Sequence, residues 1–248
     1  MIYRYDGTFP GFLCAVYEAY HDGTSGVEGI CAGPGPAALF SRETAVQTRE
    51  DRAGWVAAAF YRDCGRAASQ WLYRAFLAEE PDREVLLFTY MRQGFRLKRA
   101  LYAHRTERWA RTVFQWAQKT GAEAGKLLGL IRFSELEEGL LYAEISPTHD
   151  VLPLLTSHFR RRLAAEPWAI HDVRRKRAAF WDTKTMLFAD VPEQADTIRW
   201  SGEEQAMRRM WRTYYHHIAI ADRQNPALRR SFMPEKYWRH LPEMDRRP

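Results

Sequence analysis

Residues 129–182 read GLIRFSELEEGLLYAEISPTHDVLPLLTSHFRRRLAAEPWAIHDVRRKRAAFWD. The apolar spacing predicts strands over 128–133 and 140–145, joined by the acidic turn 135–139. Pro147 and His149-Asp150 introduce a helix that carries Val151, Leu152, Leu155, Phe159 and Leu163 at helical intervals. Two further strands are predicted over 168–171 and 178–181, around the basic turn 174–177, and another over 186–189. The stretch therefore reads as a small antiparallel sheet with a helix crossing it. It also holds His149, His158 and His171, three of the eight histidines, beside two tight arginine clusters.

Upstream the period is helical. Residues 2–5 alternate as a short strand, and Asp6-Gly7 signals a turn. Residues 9–20 then form a helix with Thr8 as N-cap and Pro10 in the first turn. Glycine and proline crowd residues 23–36, an expected loop around a short strand at 27–31. From 42 to about 126 the pattern predicts helices, divided at Pro81. One covers 83–95 and another 105–118. Downstream, Ser201 and Glu204 form a capping box that opens a helix through about residue 220, and a short helix follows Pro234. The expected class is α+β: a helical N-terminal half, a small antiparallel sheet with a crossing helix, and a helical C-terminus. The expected division is 1–127, mainly helical, and 128–248, sheet plus helices, packed as one unit.

The 248 residues suffice for a real core, and 46% apolar content with nine Trp excludes a disordered chain. The longest apolar runs fall far short of a membrane span. MIYRYDGTF lacks the pattern of a signal peptide, so a cytoplasmic protein with no membrane partner is expected. Cys14, Cys31 and Cys64 show no spacing suited to disulfides or zinc. The formal charge is +6, and only six of the 37 basic residues are Lys, the other 31 being Arg. Arginine suits bidentate phosphate contacts and stacking on bases. A GC-rich genome would raise Arg and Ala together, but it would not set where the arginines cluster.

Three ordered strings carry a resemblance: YDGTFPGFLCAVYEAY at 5–20; GLIRF with PTHDVLPLLTSHFRRR and WAIHDVRR; and WRTYYHHIAIADRQNPALRRSFMPEKYWRHLPE at 211–243. Together they resemble an uncharacterised bacterial family associated with DNA metabolism and DNA repair. Its members are encoded beside a radical-SAM protein, and some are fused to a uracil-DNA-glycosylase-like domain. The resemblance implies a DNA partner, a separately encoded radical-SAM partner and a uracil-DNA-glycosylase-like protein as a further one. It brings no mechanism. The chain resembles the stand-alone form of the family.

Arg132, Arg160, Arg161, Arg162, Arg174, Arg175, Lys176 and Arg177 are the expected phosphate contacts. Trp181 is a stacking candidate, and Arg223 and Asn225 have the mixed hydrogen-bonding ability to read bases. The plainer alternatives are solvated helix and turn surface, a core indole, and helix termination by Asn225-Pro226. A second basic run, Arg92 to Arg111, faces only Glu107. For proton transfer the candidates are His158, His171, Asp172 and Asp6. A satisfied core histidine, a strand-end pair and an Asx turn are the plainer readings of these. Spacings of nine and thirteen residues between the three histidines match no compact metal motif, and HExxH, Walker and CxxxCxxC runs are absent. No metal or cofactor of its own is expected. The reading is an accessory that binds DNA, with a DNA-acting hydrolase using His158, His171 and Asp172 as the alternative.

Overall fold

The computed structural model describes residues 1–21, 27–34, 42–191, 199–217 and 225–244. It is α+β and divides into two compact units, Met1–Gly121 and Ala122–Pro248.

The first unit opens with β1 (Ile2–Tyr5), α1 (Phe9–His21), β2 (Gly29–Ala32) and β3 (Glu43–Ala45). β1 lies between β2 and β3 and runs parallel to both. Strand β3 was not expected, because residues 42–49 read as helix; the helix begins only at Glu50. α2 (Glu50–Phe76) breaks at Gly65, and α3 (Arg83–Leu97) packs against it. A 3-10 segment, Lys98–His104, leads to α4 (Arg108–Leu130), which runs through the division between the units.

α4 overruns its expected end at residue 118 and absorbs the start of the expected 128–133 strand. Its buried positions explain this: Ala110, Val113, Ala117, Thr120, Ala124 and Leu127 recur every three or four residues. The glycines at 121, 125 and 129 hide that stripe from a propensity reading. Only Ser134–Glu135 of the following residues is strand, here β4.

The second unit continues with β5 (Leu141–Ile145), α5 (Leu152–Arg162), β6 (Trp168–Asp172), β7 (Arg177–Trp181) and β8 (Met186–Asp190). The sheet order is β4-β5-β6-β7-β8. The expectation of an antiparallel sheet needs one correction, since β5 and β6 are parallel. A helix between two adjacent strands returns the chain to its starting end, so β5-α5-β6 forces that pairing. Leu152, Leu155 and Phe159 of α5 pack on Ile145, Trp168, Ile170, Ala179 and Trp181, with Ala124 and Leu127 of α4 in the same core.

α6 (Gly202–His217) starts where expected, with the Glu204 amide donating to Ser201 Oγ at 3.0 Å, but the capping box is only half formed, since the Ser201 amide donates to Glu135 O and the Glu204 carboxylate pairs with Arg208. Its expected last turn lies outside the described residues. α7 (Pro226–Phe232) was not expected: Asn225-Pro226 begins a helix, with Asn225 Oδ1 accepting from the Leu228 amide at 2.9 Å. A 3-10 segment, Glu235–His240, follows Pro234. Among the described residues no helix is long and apolar enough to cross a membrane.

Candidate functional site

Strand alternation decides what β5 offers. Ala143 and Ile145 point into the core, so Tyr142, Glu144 and Ser146 point to the opposite face. The parallel register sets His171 beside Glu144 on that face. The Tyr142 phenol lies 2.7 Å from His171 Nδ1 and donates to Glu144 Oε1 at 3.3 Å. His240 completes the chain, with Nε2 2.8 Å from Ser146 Oγ and Nδ1 3.5 Å from Glu144 Oε2.

His171, Tyr142, Glu144, His240 and Ser146 thus form one run of neighbouring polar side chains beside this sheet face. His240, 3.5 Å away, holds the Glu144 carboxyl below its usual value against the opposing effect of burial. Burial, then the Glu144 charge, raises the Tyr142 phenol. The cavity beside this run, lined by Glu144, Ile145, His240 and Leu241, measures about 10 Å³. That volume holds no more than one water.

A second polar centre is architectural. Glu123 on α4 accepts from the amides of Thr148 at 2.9 Å and His149 at 2.8 Å, from the Tyr237 hydroxyl at 2.6 Å, and from Lys236 Nζ. Burial raises its pKa, but these four donors outweigh burial and push it down to about 2. The PTHD and EKYW strings thus meet on one carboxylate. Glu243 similarly accepts from Arg132 Nη2 at 3.0 Å and Trp211 Nε1 at 3.1 Å, joining GLIRF to the tail.

The structure separates the expected catalytic groups. His171 shares its face with Tyr142, whereas His158 rides on α5 against the other face, edge-on to Phe159. Among the described residues His158 Nε2 is buried without a hydrogen-bond partner. Asp172 is fully buried. Its Oδ1 accepts from the amides of Arg174 and Arg175 at 3.1 and 3.2 Å, and its Oδ2 pairs with Arg175 at 3.0 Å. That carboxylate closes the β6–β7 turn. Asp6, in the first unit, accepts from the Thr8 amide and hydroxyl at 2.9 and 2.7 Å and from Thr48 Oγ1 at 2.7 Å. Burial raises the Asp6 pKa, yet these bonds leave it below the usual carboxylate value.

The expected phosphate contacts also divide. Arg132 is tied to Glu243 and to the carbonyls of Gly129 and Ile131. Arg175 is spent on Asp172, Pro147 O and Thr148 O. Arg177 lies 3.6 Å from Asp150 and over the Phe188 ring. Trp181 is buried, with Nε1 donating to Ala164 O at 3.3 Å, so its face is not offered to a base. Asn225 is a helix cap, and Arg223 lies outside the described residues. What remains exposed is Arg160, Arg161 and Arg162 at the end of α5, and Arg174 and Lys176 in the β6–β7 turn, where Arg174 Nη1 also donates to Thr148 O at 3.3 Å. That turn faces the start of α5, through Arg177 and Asp150, so the two groups sit at opposite ends of the helix. Among the described residues the guanidinium groups of the three α5 arginines make no hydrogen bond or ion pair. The C-terminal end of a helix is itself a favourable place for cations.

Sequence reasoning missed Glu123, Tyr142, Glu144, Lys236, Tyr237 and His240. Alternation in LLYAEIS signals that Tyr142, Glu144 and Ser146 share a face. Nothing local signals that His240 joins them. Among the described residues no three His, Cys, Asp or Glu stand close enough to hold a metal ion.

Residues 81–243 match a family model described as a domain of unknown function, DUF4130. The matched span takes in α3, α4 and the strings that meet at Glu123 and Glu243. It leaves out YDGTFPGF. No curated protein and no solved structure matches the chain. The family match covers about two thirds of the 248 residues, and the chain belongs to the DUF4130 family.

Proposed function

We propose that this protein is a nucleic-acid-binding accessory of a DNA repair or modification pathway, acting with a separately encoded radical-SAM protein. The observation that carries the reading is the exposed Arg160-Arg161-Arg162 triplet, which among the described residues spends no guanidinium on the protein itself. Arg174 and Lys176 extend the positive surface at the other end of α5. Guanidinium groups left uncommitted in this way suit phosphate oxygens. A protein partner finds a surface on α6, where Met207, Met210, Trp211 and Tyr214 form an exposed stripe at helical spacing. A uracil-DNA-glycosylase-like protein is a further partner of the same pathway.

Fluorescence anisotropy with single-stranded, duplex and uracil-containing DNA tests the reading, alongside co-purification with the radical-SAM protein. Binding that weakens steeply with salt is expected. No binding at low ionic strength would sink it.

The hydrolase alternative is favoured by one observation, the Tyr142–His171–Glu144 chain. It no longer rests on His158 and Asp172 acting beside His171. Under that reading Tyr142→Phe abolishes turnover of damaged DNA while leaving affinity intact, and unchanged turnover removes it.

A further inference from the structure

In the first unit, α2 breaks at Gly65, whose φ of 85° and ψ of 174° take it out of the helix. The turn before the break carries Tyr61, Arg62 and Cys64, and the helix resumes at Arg66. Close packing of α3 on α2 brings a third element to this place. A Cβ on Gly94 would stand 2.5 Å from the Phe60 ring and 3.1 Å from Cys64 Sγ, so the two helices touch there. After α3 the chain turns at Lys98, with φ 52°, and the Lys98–His104 segment packs back along α2. Arg99 thereby reaches the break. The result is an open groove of about 630 Å³ lined by Tyr61, Arg62, Cys64, Gly65, Arg66 and Arg99.

Three guanidinium groups share one concavity. Arg62 lies 3.0 Å from Asp63, the acid adjoining the groove, and is 74% exposed. Among the described residues the guanidinium groups of Arg66 and Arg99 make no hydrogen bond or ion pair. Burial, then the Asp63 charge, pushes the Cys64 thiol up to about 11, so it adds no competing anion at neutral pH. Tyr61 is 55% exposed and presents an aromatic ring at the same rim. The volume falls in the range of small-ligand sites. Arginine forks match phosphate oxygens two at a time, and an exposed tyrosine ring offers a stacking surface to any base.

We infer that this groove binds one nucleotide unit, with its phosphate held between Arg66 and Arg99 and its base against Tyr61. A free nucleotide and a nucleotide within a single strand share this chemistry. The inference stands on the first unit alone and does not depend on the α5 arginines.

Calorimetric titration of the full chain with AMP, inorganic phosphate and a short 5′-phosphorylated oligothymidylate tests it. In a background carrying Arg160→Gln, Arg161→Gln and Arg162→Gln, which removes the proposed α5 contacts, AMP and the oligonucleotide are expected to compete for one site. Tighter AMP binding names the free nucleotide as ligand; tighter oligonucleotide binding names the strand. Arg66→Gln with Arg99→Gln is expected to weaken both by about tenfold or more at unchanged melting temperature, since both side chains are exposed. Tyr61→Ala is expected to weaken AMP and leave inorganic phosphate unaffected. A variant carrying Arg160→Gln, Arg161→Gln and Arg162→Gln leaves AMP binding intact, which separates this groove from the α5 surface. The inference is overturned if none of the probes binds, or if the Arg66 and Arg99 variant binds AMP as the unaltered protein does.

Discussion

Tyr237 gives its phenolic proton to Glu123 over 2.6 Å, joining residues 114 apart in sequence. The bond is buried, and the same carboxylate accepts two amides from the turn that precedes α5. Glu123 therefore fastens both the tail and the β5–α5 turn to α4. Two of the three strings that carry the family resemblance, the one from GLIRF onward and the tail, meet at this carboxylate and at Glu243. Much of their regularity is accounted for by folding, before any ligand is considered.

Glu123→Gln tests that account. The change keeps the shape, removes the charge and leaves Lys236 without its carboxylate, at a cost of about 2–3 kcal/mol near pH 7. The sign of the pH dependence follows from the depressed pKa. With a folded value of about 2 against an ordinary 4.5, the stabilisation is complete above pH 4.5 and is lost as pH falls toward 2. Urea unfolding at pH 7 and pH 3 is expected to show a gap between the two proteins that narrows on acidification. A gap of constant size would contradict it.

Gly11 and Asp6 form a second coupled pair. A Cβ on Gly11 would stand 2.2 Å from Asp6 Oδ1 and 2.8 Å from Thr48 Oγ1, so the bracket around the start of α1 must open. Gly11→Ala is expected to cost about 1–3 kcal/mol. In an Asp6→Ala background the closer clash is gone and Thr48 loses the bond that holds its hydroxyl there, so a double-mutant cycle should show coupling of about 1 kcal/mol or more. Additive effects would place Asp6 in some other role.

Gly65 isolates backbone strain. A Cβ there meets nothing within 4 Å, so space is not at issue, but φ 85° with ψ 174° is a region that only glycine enters freely. Both Gly65→Ala and Gly65→Asn are expected to lower stability by about 1–3 kcal/mol. Asparagine gains no relief, because the tolerance it enjoys belongs to the left-handed helical region. Thermal melts that spare the Asn variant would refute this.

Periodicity was enough to read the class, the crossing helix and most helix starts, because those features repeat within one element. Ser201 and Thr8 cap as their spacing implies. What failed depends on pairing between elements. The β5–β6 direction follows from the helix between them, a topological fact that no residue announces. A carboxylate beside a histidine and arginines suits proton transfer, but the sequence does not announce that Asp172 accepts from the amides two and three residues on and from the Arg175 guanidinium. His171 was noticed, yet its partners Tyr142, Glu144 and His240 come from another strand and from the tail. Arginine content was legible, but which arginines are spent internally was not. Arg132 and Arg160 look alike in sequence and differ only in what surrounds them.

That difference yields the sharpest test of the proposed function. If the α5 arginines meet phosphates, replacing Arg160, Arg161 and Arg162 with Gln removes up to three counterion-releasing contacts. The slope of log affinity against log salt should then fall by about 2–3 units on duplex DNA. Arg132→Gln and Arg175→Gln act differently, because their guanidinium groups hold Glu243 and Asp172, both buried. Each should cost about 2–4 kcal/mol of stability while leaving the salt slope of the folded protein unchanged. Anisotropy titrations across a salt series, with urea unfolding of the same three variants, measure both quantities. Arginines that matter only through their summed charge would give equal slope losses at all sites. Arginines sorted by commitment give a slope loss at residues 160–162 and a stability loss at residues 132 and 175.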